Sequence, residues 1–376
     1  MVFDQSKIKS LHNRTPFFVF SKRVLLSNLR EYQSYLPTGT EICYAMKANS
    51  EKILLQILND AGSSFEVASK YELSLLKEIK VSPQRITYGT SIKPEDHIKE
   101  FLKYGVDRFA FDSVEELLKI AKLASQSRVY ARVLVDDKSD SVFSMSEKFG
   151  VPLNEAIVLL LKAKELGLVP YGISFNVGSQ ARNVQAWARG IEELAGVMEI
   201  LLKKGIKIQV INFGGGFPHS YQKGDGFPHI KEISEHIHTA TEKLPYKVGY
   251  IAEPGRGIVA NAFVLIMTVI GKSRRSNGHW LYLDAGVYNA FLESMTCQGS
   301  TKYRIEPLSA QYAGSKKEPF ILTGPTGDNL DIINQKQLLP TDIKIGDKLL
   351  VNDVGAYTFP LTTRFNGFPK PRIIQL

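Results

Sequence analysis

The chain has 376 residues, of which 44% are hydrophobic and 23% charged, with 47 Lys and Arg against 38 Asp and Glu for a net charge of +9. That length exceeds the roughly 250 to 300 residues over which one core stops growing, so a large domain with a smaller companion is expected. The composition is that of an ordinary globular chain, which sets aside fibrous, disordered and membrane-embedded classes. Met1-Val-Phe-Asp-Gln-Ser-Lys7 has no basic start followed by an apolar run, and no apolar stretch approaches the ~18 residues of a membrane span, so the cytoplasm is the expected location and no membrane is expected as a partner.

The two cysteines, Cys43 and Cys297, are too far apart in sequence for a metal-site spacing or a disulfide framework. The seven histidines form no ligand pattern, and His236 and His238 stand two apart in a helical stretch where they do not share a face, so no metal is expected. Basic residues are spread evenly, without a stripe interleaved with aromatics, which disfavours nucleic acid and leaves an anionic small ligand as the better use of the positive charge.

In chain order, Thr15-Pro-Phe-Phe-Val-Phe20 reads as a first short strand. Eight further strands are expected at Ile42–Met46, Ser64–Val67, Arg85–Tyr88, Arg108–Phe111, Val129–Val135, Tyr171–Asn176, Gln209–Phe213 and Val248–Ala252. Helical periods fall between them, at Glu51–Ala61, Lys70–Ile79, Pro94–Tyr104, Val114–Ala124, Leu153–Glu165, Val184–Lys204 and Ile230–Lys243, with glycine stops at Gly167 and Gly205. This alternation makes the fold class α/β. Eight units match a closed (β/α)8 TIM-like barrel better than an open sheet, although a doubly wound sheet satisfies the same pattern.

After Arg256 the texture changes. Short runs at Ala262–Ile270, Trp280–Asp284, Pro319–Leu322 and Lys348–Val351 are separated by Gly, Asn and Pro turns, as in a mostly antiparallel β-domain. The expected division is a barrel over 21–260 and a β-domain over 261–376, which the first 20 residues could rejoin.

Working residues of such a barrel gather at the carboxyl ends of the strands, and phosphate binds after strands seven and eight. Lys47 ends strand one, where a desolvated amine can act as a carbonyl-trapping nucleophile; a lysine snorkelling to solvent is the plainer alternative. Glu66 lies in strand two, Arg132 in strand five, and Asn176-Val-Gly-Ser179-Gln180 ends strand six. Strand seven runs into Gly214-Gly215-Gly216 and strand eight into Glu253-Pro-Gly255-Arg256, two glycine clusters where backbone N–H groups and an arginine fork could meet a phosphate. Each alone reads equally as a turn, and Glu253 as a strand-end ion pair. A trapping lysine, a phosphate cradle and a carboxylate together describe a site for pyridoxal 5′-phosphate, which needs an acid partner for its ring nitrogen.

With these residues in place, the chain resembles the alanine-racemase-like (fold-type III) ornithine, lysine and diaminopimelate decarboxylases. The motifs run in that family's order: Tyr44-Ala-Met-Lys47-Ala-Asn, Phe65-Glu-Val-Ala-Ser-Lys70, Lys148-Phe-Gly150, Ser174-Phe-Asn-Val-Gly-Ser179-Gln, Phe213-Gly-Gly-Gly-Phe217, Ala252-Glu-Pro-Gly-Arg256, Gly324-Pro-Thr-Gly-Asp328 and Gly355-Ala-Tyr357. The resemblance implies that Lys47 holds the cofactor, that Gly214 to Gly216, Ser179, Arg256 and Tyr357 bind its phosphate, that Glu253 meets the ring nitrogen, and that Arg132 lies on the phenolic oxygen side. It also implies a head-to-tail homodimer in which Asp328 reaches the substrate in the neighbouring subunit's site.

Three positions depart from the family pattern. Asn176 stands where these enzymes carry a histidine over the ring, and Gly327 replaces the cysteine thought to return a proton to the substrate carbon. The segment from Glu293 to Arg304 holds no acid after Glu293, where ornithine enzymes present an aspartate to the distal ammonium. Two classes of function follow: a decarboxylase, or a non-catalytic binding protein similar to the antizyme inhibitors, with the retained Lys47 favouring the enzyme. Within the enzyme class the substrate is a free basic amino acid or an amino-acid head group on something larger, as in tailoring of microcin C-type antibiotics or siderophore biosynthesis.

Overall fold

A computed structural model describes residues 3, 5–11, 13–135, 139–143, 148–296 and 303–376. Its strands, in chain order, are β1 Phe17–Phe20, β2 Glu41–Ala45, β3 Ser64–Val67, β4 Ile86–Tyr88, β5 Arg108–Phe111, β6 Arg128–Arg132, β7 Ser141–Phe143, β8 Val169–Ser174, β9 Ser179–Ala181, β10 Val210–Asn212, β11 Gly249–Ala252, β12 Phe263–Arg275, β13 Gly278–Leu283, β14 Ile305–Pro307, β15 Lys317–Thr323, β16 Ile332–Pro340, β17 Lys348–Val351 and β18 Arg372–Gln375. By the density of their packing the residues divide into a barrel unit, Asn28–His219 with Gly226–Gly257, and a sheet unit, Met1–Ser27 with Ser220–Asp225 and Ile258–Leu376. Relative to a barrel over 21–260, residues 21–27, 220–225 and 258–260 group with the sheet.

In the barrel unit the closed order is β10-β11-β2-β3-β4-β5-β6-β8, every pairing parallel. The crossover helices start and stop where local chemistry dictates. Ser69 and Ser113 cap the helices Lys70–Glu78 and Val114–Leu123 by accepting from the Glu72 and Glu116 N–H groups, and left-handed Gly105 ends Glu95–Tyr104. The interior is apolar where Cys43, Val210 and Ile251 meet, with Tyr171 packed against them.

The amino-terminal end of the barrel is closed by ions rather than hydrocarbon. Arg108, the first residue of β5, forks onto Glu41, the first of β2, at 2.6 and 2.9 Å, and donates to the Gln84 and Ile86 carbonyls. Burial pushes the Glu41 carboxyl up, but the hydrogen bond and charge of Arg108 outweigh it and hold it below the usual range. At the wall, Lys93 is fully buried, donating to the Thr90, Ser91 and Ala110 carbonyls and standing 3.1 Å from Glu116; burial lowers its ammonium to about 8.

In the sheet unit the order is β14-β17-β12-β13-β15-β16, with β1 between β12 and β18. Alternate residues Phe17 and Val19 of β1 and Val264 and Ile266 of β12 face one core with Leu308 and Leu350, while Phe18, Phe20, Phe263 and Leu265 on the opposite face are buried as well. The pairing is mostly antiparallel, with parallel contacts at β1–β18 and β13–β15. Among the described residues, no helix is long and apolar enough to cross a membrane.

Several strand ends differ from the sequence expectation. The first barrel strand stops at Ala45, so Lys47 lies on the 3-10 turn Met46–Ala48; the sixth stops at Ser174, leaving Asn176 in the loop beyond. The fifth ends at Arg132, with Val133 kept only as an isolated bridge to Val151. At these places the chain leaves the ladder while its side chains are still apolar, because the barrel rim buries the loops as well.

Candidate active site

The carboxyl ends of the barrel strands gather a cluster of charges. Lys47, half exposed, places its Nζ 3.9 Å from the Glu66 Oε2, and the Glu66 side chain is buried. Glu66 has room only because the residue leaving β4 is Gly89: a methyl group there would stand 2.6 Å from Glu66 Oε1. Glu72, in the first turn of the next helix, accepts from the Ala68 N–H at 2.7 Å. Burial pushes its carboxyl up to about 7, with the Ala68 hydrogen bond opposing, Glu66 adding to the rise and Lys47 opposing it.

Glu253 follows β11. Protein surrounds its carboxyl while part of the residue stays accessible. Burial and then the charge of Glu66 raise it to about 7 against the hydrogen bond from Asn212 and the charges of Lys47 and Arg132. Arg132 ends β6 with its guanidinium 5.2 Å from the Phe149 ring centre, and burial holds it below its ordinary value against the pull of Glu253, Asp112 and Glu66. Lys47, Glu66, Arg132 and Glu253 thus form one electrostatic group in which the Glu253 carboxyl is under-compensated.

Beside them runs the glycine loop. Gly214 and Gly216 adopt φ of 66° and 89°, and a side chain on either would overlap the Phe175 or Gly178 carbonyl. The loop is pinned by the Gly214 N–H to Asn212 Oδ1 at 2.8 Å, by the Glu253 N–H to the Gly214 carbonyl at 2.8 Å, and by Trp187 Nε1 to the Gly215 carbonyl at 3.2 Å. Asn176 accepts from the Gly178 N–H through Oδ1 at 2.9 Å, which leaves its amide nitrogen on the side of Gly215. Ser179 belongs to a small two-stranded antiparallel sheet, β9 against β7, and not to the end of a barrel strand. Gly255 packs against the Lys47 turn, where a methyl would lie 2.9 Å from Ala48 Cβ, and Arg256 starts a short helix, buried.

Asp328 and Tyr357 belong to the sheet unit. Asp328, in the turn after β15, accepts from the Leu330 N–H at 2.9 Å and the Tyr288 hydroxyl at 2.6 Å, and these two bonds hold its carboxyl below the usual range. The turn is anchored by fully buried Asp331, which accepts from Val287 N, Thr326 N and Thr326 Oγ1. An open cavity of about 610 Å³ is lined by Gly327, Asp328, Phe365, Asn366 and Phe368 among others, and among the described residues, its two chain neighbours aside, none has an atom within 4 Å of where a Gly327 side chain would begin. Tyr357 takes a left-handed φ of 55°. Cys297 and the rest of 297–302, which complete the segment expected to lack a distal acid, lie outside the described residues; Glu293 is buried in the helix Leu292–Thr296.

Sequence reasoning missed Glu72, Gly89 and Asn212. The Ser69-x-x-Glu72 spacing is a capping signature that would have placed Glu72 beside the strand end, and Asn212 stands two residues before the glycine loop, where its polarity breaks an apolar strand. Nothing in the sequence sets Gly89 apart from other turn glycines. Among the described residues no group of His, Cys, Asp and Glu could hold a metal ion. The donor set suits pyridoxal phosphate: an amine at the mouth, a backbone cradle next to it, and a buried carboxyl whose charge lacks sufficient positive compensation, as a protonated ring nitrogen would provide.

Residues 23–260 match the family described as pyridoxal-dependent decarboxylase, pyridoxal binding domain. The chain is 32% identical to a lysine/ornithine decarboxylase of Selenomonas ruminantium, over 97% of this chain and 91% of that one. It is also 32% identical to antizyme inhibitor 2 of Xenopus laevis, over 97% of this chain and 82% of that one. The arginine decarboxylase of Paramecium bursaria Chlorella virus, in its structure bound to agmatine, superposes with a TM-score of 0.91 at 29% identity, covering 99% of this chain and all (100%) of that one.

Proposed function

We propose, for a chain that belongs to the pyridoxal-dependent decarboxylases and is a pyridoxal phosphate-dependent amino-acid decarboxylase, that its substrate is an α-amino acid with a cationic distal end, of the lysine, ornithine or arginine type. When bound, the cofactor supplies the electron sink for the bond to the departing carboxylate. Lys47 anchors the cofactor, the Gly214–Gly216 backbone with Ser179, Arg256 and Tyr357 takes its phosphate, and Glu253 keeps its ring nitrogen protonated. Arg132, Asn176 and Glu66 surround the ring, and Gly255 lets the Lys47 turn close against the last strand. Asp328 binds the distal cation, acting in the site of a second copy of the chain as a homodimer.

The observation that carries the substrate class is the Asp328 carboxylate, held ionised by Leu330 and Tyr288 at the edge of an open cavity. A fixed carboxylate facing solvent-filled space suits a cation, and two phenylalanine rings beside it add to that preference. A second reading, an amino-acid head group carried on a larger molecule, is favoured by Gly327, which leaves space where a side chain would stand. An antizyme-inhibitor-like role would have no use for Lys47 and the glycine loop.

Carbon dioxide release from a panel of free basic amino acids and their conjugates tests both readings. Gly327→Cys sharpens the result. If the glycine admits a large substrate, the variant keeps activity on a small basic amino acid and loses it on a conjugate, since overpacking costs roughly 1 to 3 kcal/mol. Equal gains on both would favour the free amino acid, and no release from any would remove the substrate class.

A further inference from the structure

Asn212 sits at the end of β10, 1% exposed, and its side chain makes two hydrogen bonds in opposite directions. The Gly214 N–H points at one end of the amide at 2.8 Å, and Glu253 Oε1 lies 2.6 Å from the other. A backbone N–H can only donate, so the atom facing Gly214 is the amide oxygen. The atom facing Glu253 is then the NH₂, which can only donate in turn. Glu253 Oε1 therefore accepts this bond, which favours the ionised form of the carboxyl.

We propose that Asn212 is a positioning residue that holds Glu253 as a hydrogen-bond acceptor and ties it to the glycine loop, so that the two are set as one rigid element. The proposal rests on the reading that Glu253 meets the ring nitrogen and Gly214–Gly216 the phosphate. A ring nitrogen that must stay protonated needs an acceptor opposite it, and a carboxyl that gained its own proton at that atom would be the wrong partner. Several groups act on Glu253: Glu66 on β3 and, from the barrel interior, Cys43 on β2 and Tyr130 on β6 are its neighbours, while Lys47 and Arg132 supply positive charge. Among the described residues Asn212 alone makes a side-chain hydrogen bond to it, and that bond also fixes the distance from carboxylate to loop.

Replacement by aspartate distinguishes this role from simple packing. An ionised aspartate still accepts from Gly214 but has nothing to donate to Glu253, so the two carboxyls must share a proton. The test is pyridoxal phosphate affinity, measured by fluorescence titration of the apoprotein for wild type, Asn212→Ala, Asn212→Asp, Glu253→Gln and the Asn212→Ala/Glu253→Gln double variant. Asn212→Ala should bind about tenfold more weakly, Glu253→Gln at least as weakly, and the double variant by less than the product of the two. Relative to wild type, Asn212→Asp should be within about threefold at pH 6 and at least about tenfold weaker at pH 9, as the shared proton leaves.

A ratio for Asn212→Asp that does not change with pH, together with additive losses in the cycle, would overturn the proposal while leaving Glu253 as the ring-nitrogen partner. No loss from Glu253→Gln alone would overturn that reading and the proposal with it. Should Asn212→Ala fail to fold, the pH ratio of Asn212→Asp decides alone, since a shape-preserving variant moves it only through the Glu253 proton.

Discussion

At the amino-terminal end of the barrel Arg108 meets Glu41 through two hydrogen bonds and donates two more to carbonyls, whereas at the carboxyl-terminal end Glu66, Glu72 and Glu253 share Lys47 and Arg132. Both ends bury charge. At the first the ions cancel locally, and the carboxyl of the pair ends below its usual range; at the second burial and mutual repulsion lift two carboxyls to about 7. Matched charges close a barrel, and unmatched ones leave it a place for a cationic ring and an amine-bearing substrate. The same strand set does both because each strand contributes one end to each.

The sharpest way to break this contrast is at Lys47. Lys47→Ala should lower carbon dioxide release on the order of 10³-fold or more, since it removes the group proposed to engage the cofactor covalently. The apoprotein's melting temperature should hardly move, because the side chain is half exposed and 3.9 Å from its carboxylate partner. Borohydride reduction in the presence of pyridoxal phosphate should leave a pyridoxyl group on the Lys47 peptide of the wild type and none on that peptide of the variant. Labelling elsewhere in the wild type would move the site.

The other end should respond in the opposite sense. Arg108→Met leaves Glu41 without its partner and should cost about 3 to 5 kcal/mol in denaturant unfolding, with pyridoxal phosphate affinity unchanged in the folded fraction. Arg108→Met with Glu41→Leu should recover most of that loss. If the double variant is no more stable than the single one, Arg108 supports the barrel through its carbonyl contacts and not through the ion pair.

The unequal pairing also predicts a pH dependence. Glu72 and Glu253 have folded-state values near 7 against an ordinary value of 4.5, so between those limits the folded apoprotein binds more protons than the unfolded chain. Their contribution is complete below about pH 4.5 and is lost as pH rises through 7, a fall on the order of several kcal/mol, at most about 3 kcal/mol for each carboxyl and less for the partly accessible Glu253. Pyridoxal phosphate should flatten this fall by compensating Glu253. Apoprotein unfolding at pH 5 and pH 7.5, with and without cofactor, checks the sign, and stability rising over that window in the apoprotein would refute it.

The barrel was legible because its strands are short, apolar and separated by amphipathic helices, each a local signal. The charged cluster was legible in part for the same reason: Lys47, Glu66, Glu253 and the glycine loop all sit at strand ends, where position alone assigns them to one rim. What escaped was set by contacts between strands. Asn212 matters because Gly214 and Glu253 approach it from different sides, and the short strand that carries Ser179 exists only by pairing with Ser141–Phe143 across an intervening helix and barrel strand. In the sheet unit the strand β16 was missed because its exposed residues, Gln335, Lys336 and Leu338, do not alternate regularly with buried ones.

The smallest expected effect is at Gly89, and it asks whether the carboxyl end of the barrel is as tightly packed as the amino-terminal end. A methyl group there would stand 2.6 Å from Glu66 Oε1 and 2.8 Å from its Cγ, so Gly89→Ala must displace the carboxylate. Overpacking typically costs 1 to 3 kcal/mol, while replacing glycine returns about 0.4 to 1 kcal/mol from the unfolded chain. The obstacle is the end of a side chain rather than backbone, and Glu66 faces a half-exposed lysine rather than a closed ion pair, so it can yield towards the mouth. A net loss of about 1 kcal/mol is expected, with a few-fold change in pyridoxal phosphate affinity as Glu66 moves relative to Lys47. A loss near 3 kcal/mol with unchanged affinity would mean that Glu66 is held as rigidly as Arg108, and the contrast between the two ends would then rest on charge alone.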